Sequence, residues 1–368
     1  MNIRFFPSLQ LLATVRIALR FIHEFHFHIV RTDFKGVTGD RERFYNVSIR
    51  HKVRLIHLPN LIRKNISGIV RAMATEVAKW YDSHRDLLPP ASIDNWKRIC
   101  WYSHGTIDYF ATARAFLQDE NLNRRQRFVL SCKYYLEDDV EALWEDMSED
   151  DLMFIKRHTE WTSDLRFWMD ALQSNTTLDW TQITHEAETG NYYRTNYPSN
   201  FFCGNYLGLP YYFPRLRSVR ARFRCLYLAT GNYSIRPFYL YLCLAQMQDY
   251  EVDGMFKRFP EKHRYQVIES FLYWPLQGIF LSIIERFRHR ISNEIYLDLF
   301  KFILCERFER ELLDHQYVSL VKQLWAPLSE ETRSFVRKDR LYPCIAYIIN
   351  SSDQDPIPNN LIELFKCR

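Results

Sequence analysis

The sequence predicts an all-α protein, and three observations carry that expectation. Glycine is scarce, 10 among 368 residues, which disfavours a fold of many tight β-turns and suits helices joined by short polar turns. Apolar residues recur at three and four, most clearly at Ile62, Ile66, Ile69, Val70, Met73, Val77 and Trp80, the period of an amphipathic helix. The chain also says one phrase twice. Leu143-Trp144-Glu145-Asp146-Met147-Ser148-Glu149-Asp150, with Phe154-Ile155 behind it, returns as Leu324-Trp325-Ala326-Pro327-Leu328-Ser329-Glu330-Glu331, followed by Phe335-Val336. Each copy offers a core tryptophan, a capping serine and two apolar anchors, so the echo predicts a helical-repeat array, an α-solenoid.

The elements follow in chain order. A helix is expected from about Pro7 to Phe25. Behind it, Phe25-His26-Phe27-His28-Ile29 and Val47 to Leu55 alternate apolar and polar residues on either side of Gly36 and Gly39, which allows a short β-hairpin. Leu58-Pro59 opens the long amphipathic helix, which runs to about His84. Pro89-Pro90 marks a boundary, and the repeats are expected after it. Residues 174 to 214, rich in Asn, Thr, Tyr, Gly and Pro, fit little regular helix and predict a connector or a surface insertion. The expected organisation is therefore an N-terminal helical region with the hairpin at 1–90, a first lobe at 91–173, an irregular connector or insertion at 174–217 and a second lobe at 218–368.

Gly105-Thr106-Ile107-Asp108-Tyr109-Phe110 is followed one thirty-three-residue step later by Asp138-Asp139-Val140-Glu141-Ala142-Leu143, and Gly231-Asn232-Tyr233-Ser234-Ile235 gives a third such turn. In these turns the chain resembles degenerate ankyrin-type proteins, whose period is thirty-three. The resemblance implies stacked helix pairs over roughly residues 95–350. The family's Thr-Pro-Leu-His start and paired alanines are absent, and Trp101, Tyr102, Tyr134 and Tyr135 stand near their places. Such bulk calls for wider helix spacing, so a general α-solenoid is the expectation.

Composition narrows the function. The first hundred residues are basic and residues 101–180 acidic, a segregation hidden in the net charge of +5. Eight cysteines never form a C-x-x-C pair, which reads as reduced thiols in a cytoplasmic or nuclear protein. Residues 1 to 23 carry Arg4, Arg16 and Arg20 without an acid. A mitochondrial presequence has that composition, as does the ordinary amphipathic helix expected here. The longest uncharged apolar run, Phe271 to Ile284, is 14 residues and contains Pro275, too short to span a bilayer. Phosphate-loop, dinucleotide, zinc-protease and hydrolase motifs do not occur, so no catalytic, cofactor or metal residue is assigned. No residue near His23, His26 and His28 in sequence completes a metal-ligand set, and His26 and His28 read as one face of a half-buried strand edge.

Two stretches remain as binding candidates. Arg215, Arg217, Arg220, Arg222 and Arg224 place five guanidinium groups in ten residues. With Arg217, Arg220 and Arg224 on one helical face they suit phosphates or carboxylates on a partner, or pair with the acidic block at 137–151. Nucleic-acid binding is the lesser reading, because Phe223 and Tyr227 are expected in the core. At the N-terminus, Ser8-Leu9 with Ala13 and Ile17, and later Leu58-Pro59, look like the elongin-binding element of a SOCS box. The resemblance implies a ubiquitin-ligase substrate adaptor that binds elongin B/C. Ala13 stands at the usual cysteine position, and about forty residues separate the two halves. The plainer reading packs Leu9, Leu12, Ile17 and Ile22 on the first repeat. The function expected overall is a non-enzymatic scaffold that binds protein partners along a helical-repeat surface.

Overall fold

A computed structural model describes residues 3–24, 49, 51–88, 98–159, 163–189, 206–231, 235–308, 315–352 and 358. These residues are overwhelmingly helical. Among them there is no β-strand, only a single antiparallel bridge between Trp101 and Ile107. By spatial clustering the chain forms two compact units. Unit 1 comprises mainly Ala74–Val252, and unit 2 the described parts of Ile3–Ile22, Gly39–Met73 and Asp253–Arg368.

The first helices are α1 (Leu9–Glu24) and α2 (Asn60–His84), within two residues of their expected limits. Ile66, Val70, Met73, Val77, Trp80 and His84 line the buried side of α2, each completely enclosed, whereas Ile62 is exposed. The second arm of the expected hairpin is not a strand. His51–Arg54 is helical, and Ile49 and Val53, four residues apart, are both buried, which is a helical period that mimics alternation over a short window. The first arm, with His26 and His28, lies outside the described residues, as does Pro89-Pro90.

Unit 1 holds the part of α2 from Ala74 onward, then α3 (Tyr109–Leu117), α4 (Arg124–Tyr134), α5 (Glu137–Glu145), α6 (Glu149–Thr159), α7 (Ser163–Gln173), α8 (Trp180–Thr189), α9 (Val219–Gly231), α10 (Pro237–Ala245) and the start of α11 (Asp249–Arg258). Polar caps begin several of them. Asp108 accepts from the Ala111 amide at 3.0 Å, and Asn123 and Gln126 form a reciprocal capping box. Helix α8 falls inside the stretch expected to be irregular. Asp179 caps it through the amides of Thr181 and Gln182, and Ile183 anchors it in the core. A cap and one buried face sufficed where composition pointed to loop. Gly208, which follows, lies so close to the Lys133 carbonyl that a Cβ would meet it at 2.6 Å. Only glycine fits there.

Unit 2 adds α12 (Glu261–Glu269), α13 (Gln277–Phe287), α14 (Asn293–Phe302), a π-helical turn Ile303–Phe308, α15 (Tyr317–Trp325), α16 (Glu330–Arg337) and α17 (Tyr342–Asn350). Here helices pack mostly on the next but one: α12 on α14, α14 on α16, and α15 on α17. Phe271, Leu276, Phe280, Phe300, Val321 and Leu324 are fully buried between them, and Phe256 stacks on Phe287 at 3.7 Å.

Candidate interaction surfaces

Helix α1 presents two unlike faces. Ser8 starts it, its hydroxyl accepting from the Leu11 amide at 3.1 Å. Val15, Ala18 and Ile22 are buried, at 1% exposure or less. On the other side Leu9 is 84% exposed and Ile17 37%, with Ala13 exposed between them at helical spacing and Phe6, 77% exposed, just ahead. Arg16 and Arg20 are exposed on the same face. Of the residues assigned to packing in the plainer reading, Ile22 packs, but Leu9 and Ile17 do not. Leu58 is half-buried and Pro59 exposed at the start of α2, with Leu55 exposed nearby in sequence. Phe6, which was not singled out in the sequence, lies three residues ahead of Leu9, before α1 begins. A row of large apolar side chains left in water marks a contact surface more often than a scattering of single ones does.

The arginine stripe is less uniform than its spacing implied. Arg217 lies ahead of α9, in the connection that follows a short helical turn, so it does not share a helical face with Arg220 and Arg224. Ser218 caps α9 through the Arg220 amide at 3.1 Å. Arg222 is turned inward: its Nε donates to the Leu216 carbonyl at 2.7 Å and its Nη1 to the Glu251 carboxylate at 3.2 Å. Glu251 in turn accepts from the Gln248 amide at 2.7 Å, so the pair fastens the entry of α11. Arg215 reaches Glu137 at 3.7 Å, the pairing with the acidic block that the sequence offered as the alternative. Arg217 and Arg220 remain exposed, and Arg224 is half-buried.

Both serines of the repeated phrase cap helices. Ser148 accepts from the Asp151 amide, and Ser329 from the Thr332 amide, each at 3.2 Å. Trp144 and Trp325 each sit at the end of the preceding helix, in α5 and α15, and Ile155 and Val336 are the buried anchors behind the caps. Leu143 is half-buried and Leu324 fully buried. These residues hold helix-turn-helix corners together and offer no reactive group.

The most chemically loaded place in unit 1 is a polar knot in its core, which the sequence showed only as the Trp80–His84 spacing of α2. His84 is completely buried, with Nδ1 2.6 Å from the Trp80 carbonyl and Nε2 2.6 Å from the Tyr134 hydroxyl. A carbonyl can only accept, so Nδ1 carries the proton and Nε2 accepts from Tyr134. Burial lowers the His84 pKa to about 3, against a weaker raising effect from the Trp80 carbonyl. Its ring stacks on Trp80 at 4.2 Å. Arg236 lies 4.2 Å over Tyr109, donates to Ser83 at 2.9 Å and pairs with Glu76 at 3.5 Å. With both nitrogens of His84 engaged and its charged form disfavoured by burial, the knot fixes these side chains against one another.

No group of three metal-ligating side chains occurs among the described residues. No helix among them is long and apolar enough to cross a membrane. No protein-family model, curated protein or solved structure matches the chain.

Proposed function

We propose that this chain is a non-enzymatic, cytoplasmic scaffold that binds another protein, and that α1 is its principal contact element. The observation that carries the reading is the exposed apolar line Leu9, Ala13 and Ile17 on a helix whose opposite face is buried, with Phe6 exposed ahead of the helix. An isolated helix of this length is marginal in water. Held by Val15, Ala18 and Ile22, its outer face is preorganised for a groove on a partner, which lowers the entropic cost of docking. The α-solenoid reading is part of the proposal and rests on the next-but-one packing in unit 2, the relation expected of stacked helix pairs. Cys100, Cys132, Cys225, Cys243, Cys305 and Cys344 are thiols and not disulfides, in keeping with a reducing compartment.

Tagged protein is expected to capture a defined partner set from cells, to lose it on Leu9→Asp or Ile17→Asp, and to keep it on Arg220→Ala. A partner set untouched by the two aspartates overturns the reading.

A ubiquitin-ligase adaptor that binds elongin B/C is a second, sharper reading. One specific observation favours it: Leu9, Ala13 and Ile17, the positions matched to a SOCS box, share the outward face. Purified elongin B/C is expected to form a complex with the chain that Leu9→Asp abolishes while far-UV circular dichroism stays unchanged. Absence of a complex with the unsubstituted chain removes this reading and leaves the scaffold reading to its own test.

A further inference from the structure

The second charged knot, in unit 2, leaves one guanidinium edge without a partner. Arg307 sits in the π-helical turn Ile303–Phe308 and is buried, at 7% exposure. Its guanidinium carbon lies 4.4 Å from the ring centre of Tyr273, 4.8 Å from Phe302 and 5.9 Å from Tyr317. Three aromatic rings therefore hold the cation in place. Its Nε and Nη2 are both buried and neither has a hydrogen-bond partner. Those two nitrogens form the side-on fork with which arginine grips two oxygens of a carboxylate or phosphate at once.

The nearby carboxylate does not fill that fork. Glu269, at the end of α12, accepts from the Tyr273 hydroxyl at 3.1 Å and also from Tyr265. Burial pushes its pKa up, against the lowering effect of the Tyr273 and Tyr265 hydroxyls and of the Arg307 charge. Tyr317, the ring most distant from the cation, accepts from the Gln277 amide at 3.1 Å. One turn before Glu269, the amide group of Gln266 is buried with neither its nitrogen nor its oxygen partnered. Buried polar groups are rarely left so, and a buried guanidinium least of all. The backbone around Arg307 is π-helical, a geometry that recurs at functional sites and that re-aims side chains relative to an α-helix.

We propose that the π-helical turn carries a binding site for an oxyanion, the carboxylate or phosphate group of a small molecule, gripped side-on by Nε and Nη2 of Arg307. The rings of Tyr273, Phe302 and Tyr317 hold the fork still, so little side-chain entropy is lost when the anion arrives. The site is independent of α1 and of the scaffold reading.

The full chain is titrated with inorganic phosphate and, separately, with succinate, at constant ionic strength against sodium chloride. Thermal unfolding and peptide-resolved hydrogen–deuterium exchange are read. One of the two anions is expected to raise Tm saturably, by about 5 °C at a hundredfold excess over Kd. The same anion slows exchange in peptides covering 303–308 and 266–273. Which anion saturates separates a phosphate ligand from a carboxylate one. Arg307→Lys keeps the charge and loses the fork, so it should weaken binding by about tenfold or more. No saturable shift beyond chloride with either anion, protection confined to other segments, or equal affinity in Arg307→Lys overturns the proposal. Should the lysine variant not fold, the exchange footprint on the unsubstituted protein decides alone.

Discussion

Unit 1 and unit 2 each hold one copy of the twin phrase, and the two copies do different amounts of packing. Trp325 is 9% exposed and meets Phe300 and Tyr342, each at 6.0 Å between ring centres, with Arg333 over its face at 5.8 Å. Trp144 is half-buried and meets Phe128 at 6.0 Å. Behind the cap, Phe335 is half-buried, whereas Phe154 is 42% exposed, with Arg125 laid across it at 4.6 Å. The caps coincide, at 3.2 Å in both. A repeated sequence therefore fixes the turn between two helices, while burial depends on what each unit brings against the turn. The charged cores diverge in the same way. The groups whose ionisation burial shifts are the histidines His84 and His104 in unit 1, and in unit 2 chiefly the half-buried carboxyl of Glu269, near Arg307.

That divergence predicts opposite responses to acid, the largest effect expected. His84 and His104 in unit 1 have pKa values lowered by burial to about 3 and about 4. Below about pH 6.5 the unfolded chain takes up protons that these folded histidines refuse. Unit 1 then loses stability as the pH drops, for His84 by about 1.4 kcal/mol per unit down to the folded pKa. Asp151, its pKa lowered by hydrogen bonds with Arg125 and Ser148, acts in the same direction only below the unfolded carboxylate pKa. In unit 2, Glu269 and Asp298 have raised pKa values, burial being the first cause of both. Their contribution is full below the unfolded carboxylate pKa and is lost as pH rises through the folded one, so mild acid favours unit 2. Pulsed hydrogen exchange across a urea series at about pH 7 and about pH 5 should show unit 1 melting earlier in acid and unit 2 not, and His84→Gln should flatten the slope of unit 1. Equal losses in both units break the comparison.

The tryptophans test the packing difference directly. Trp325→Ala removes a buried ring from among aromatic neighbours and should cost about 4 kcal/mol. Trp144→Ala, from a half-solvated site, should cost about half as much. Urea midpoints at constant m-value measure both. If the two losses are equal, exposure is not what distinguishes the copies.

Much of this was legible in the sequence because local rules govern it. The 3.6-residue period placed α2 to within two residues, and Ser148 and Ser329 announced their caps. What failed did so where short windows are ambiguous or distant partners decide. Ile49 and Val53 fit a strand and a helix equally over so few residues. Helix α8 was hidden by its Asn- and Thr-rich surroundings, since one Asp179 cap weighs little in a composition count. Arg222 looked like its neighbours along the chain and is set apart only by Glu251, twenty-nine residues away. Arg307 carried no signal at all, because Tyr273, Phe302 and Tyr317 meet around it only through the fold. The exposure of Leu9 and Ile17 had a signal in Arg16 and Arg20, which share their face, but the apolar residues there read as packing.

The smallest predicted effect is the one that isolates what the two copies share. Ser148→Ala and Ser329→Ala each strip one amide of its acceptor at a helix start, and each should cost about 1 kcal/mol. Ser329 also meets the Thr332 hydroxyl at 2.9 Å, which in turn donates to Asn293 at 2.8 Å. Ser148 donates to the Asp151 carboxylate at 2.8 Å, and Asp151 pairs with Arg125. The two networks differ, so the test is whether the cap alone accounts for the loss. Asp151→Asn keeps the amide that Ser148 caps and removes the carboxylate charge. If the phrase is a capping device, Ser148→Ala costs the same in the unsubstituted chain as in the Asp151→Asn background. If the loss shrinks when the carboxylate is gone, the serine of unit 1 works mainly by positioning Asp151 for Arg125, and the identity of the two copies stops at the side chain they have in common.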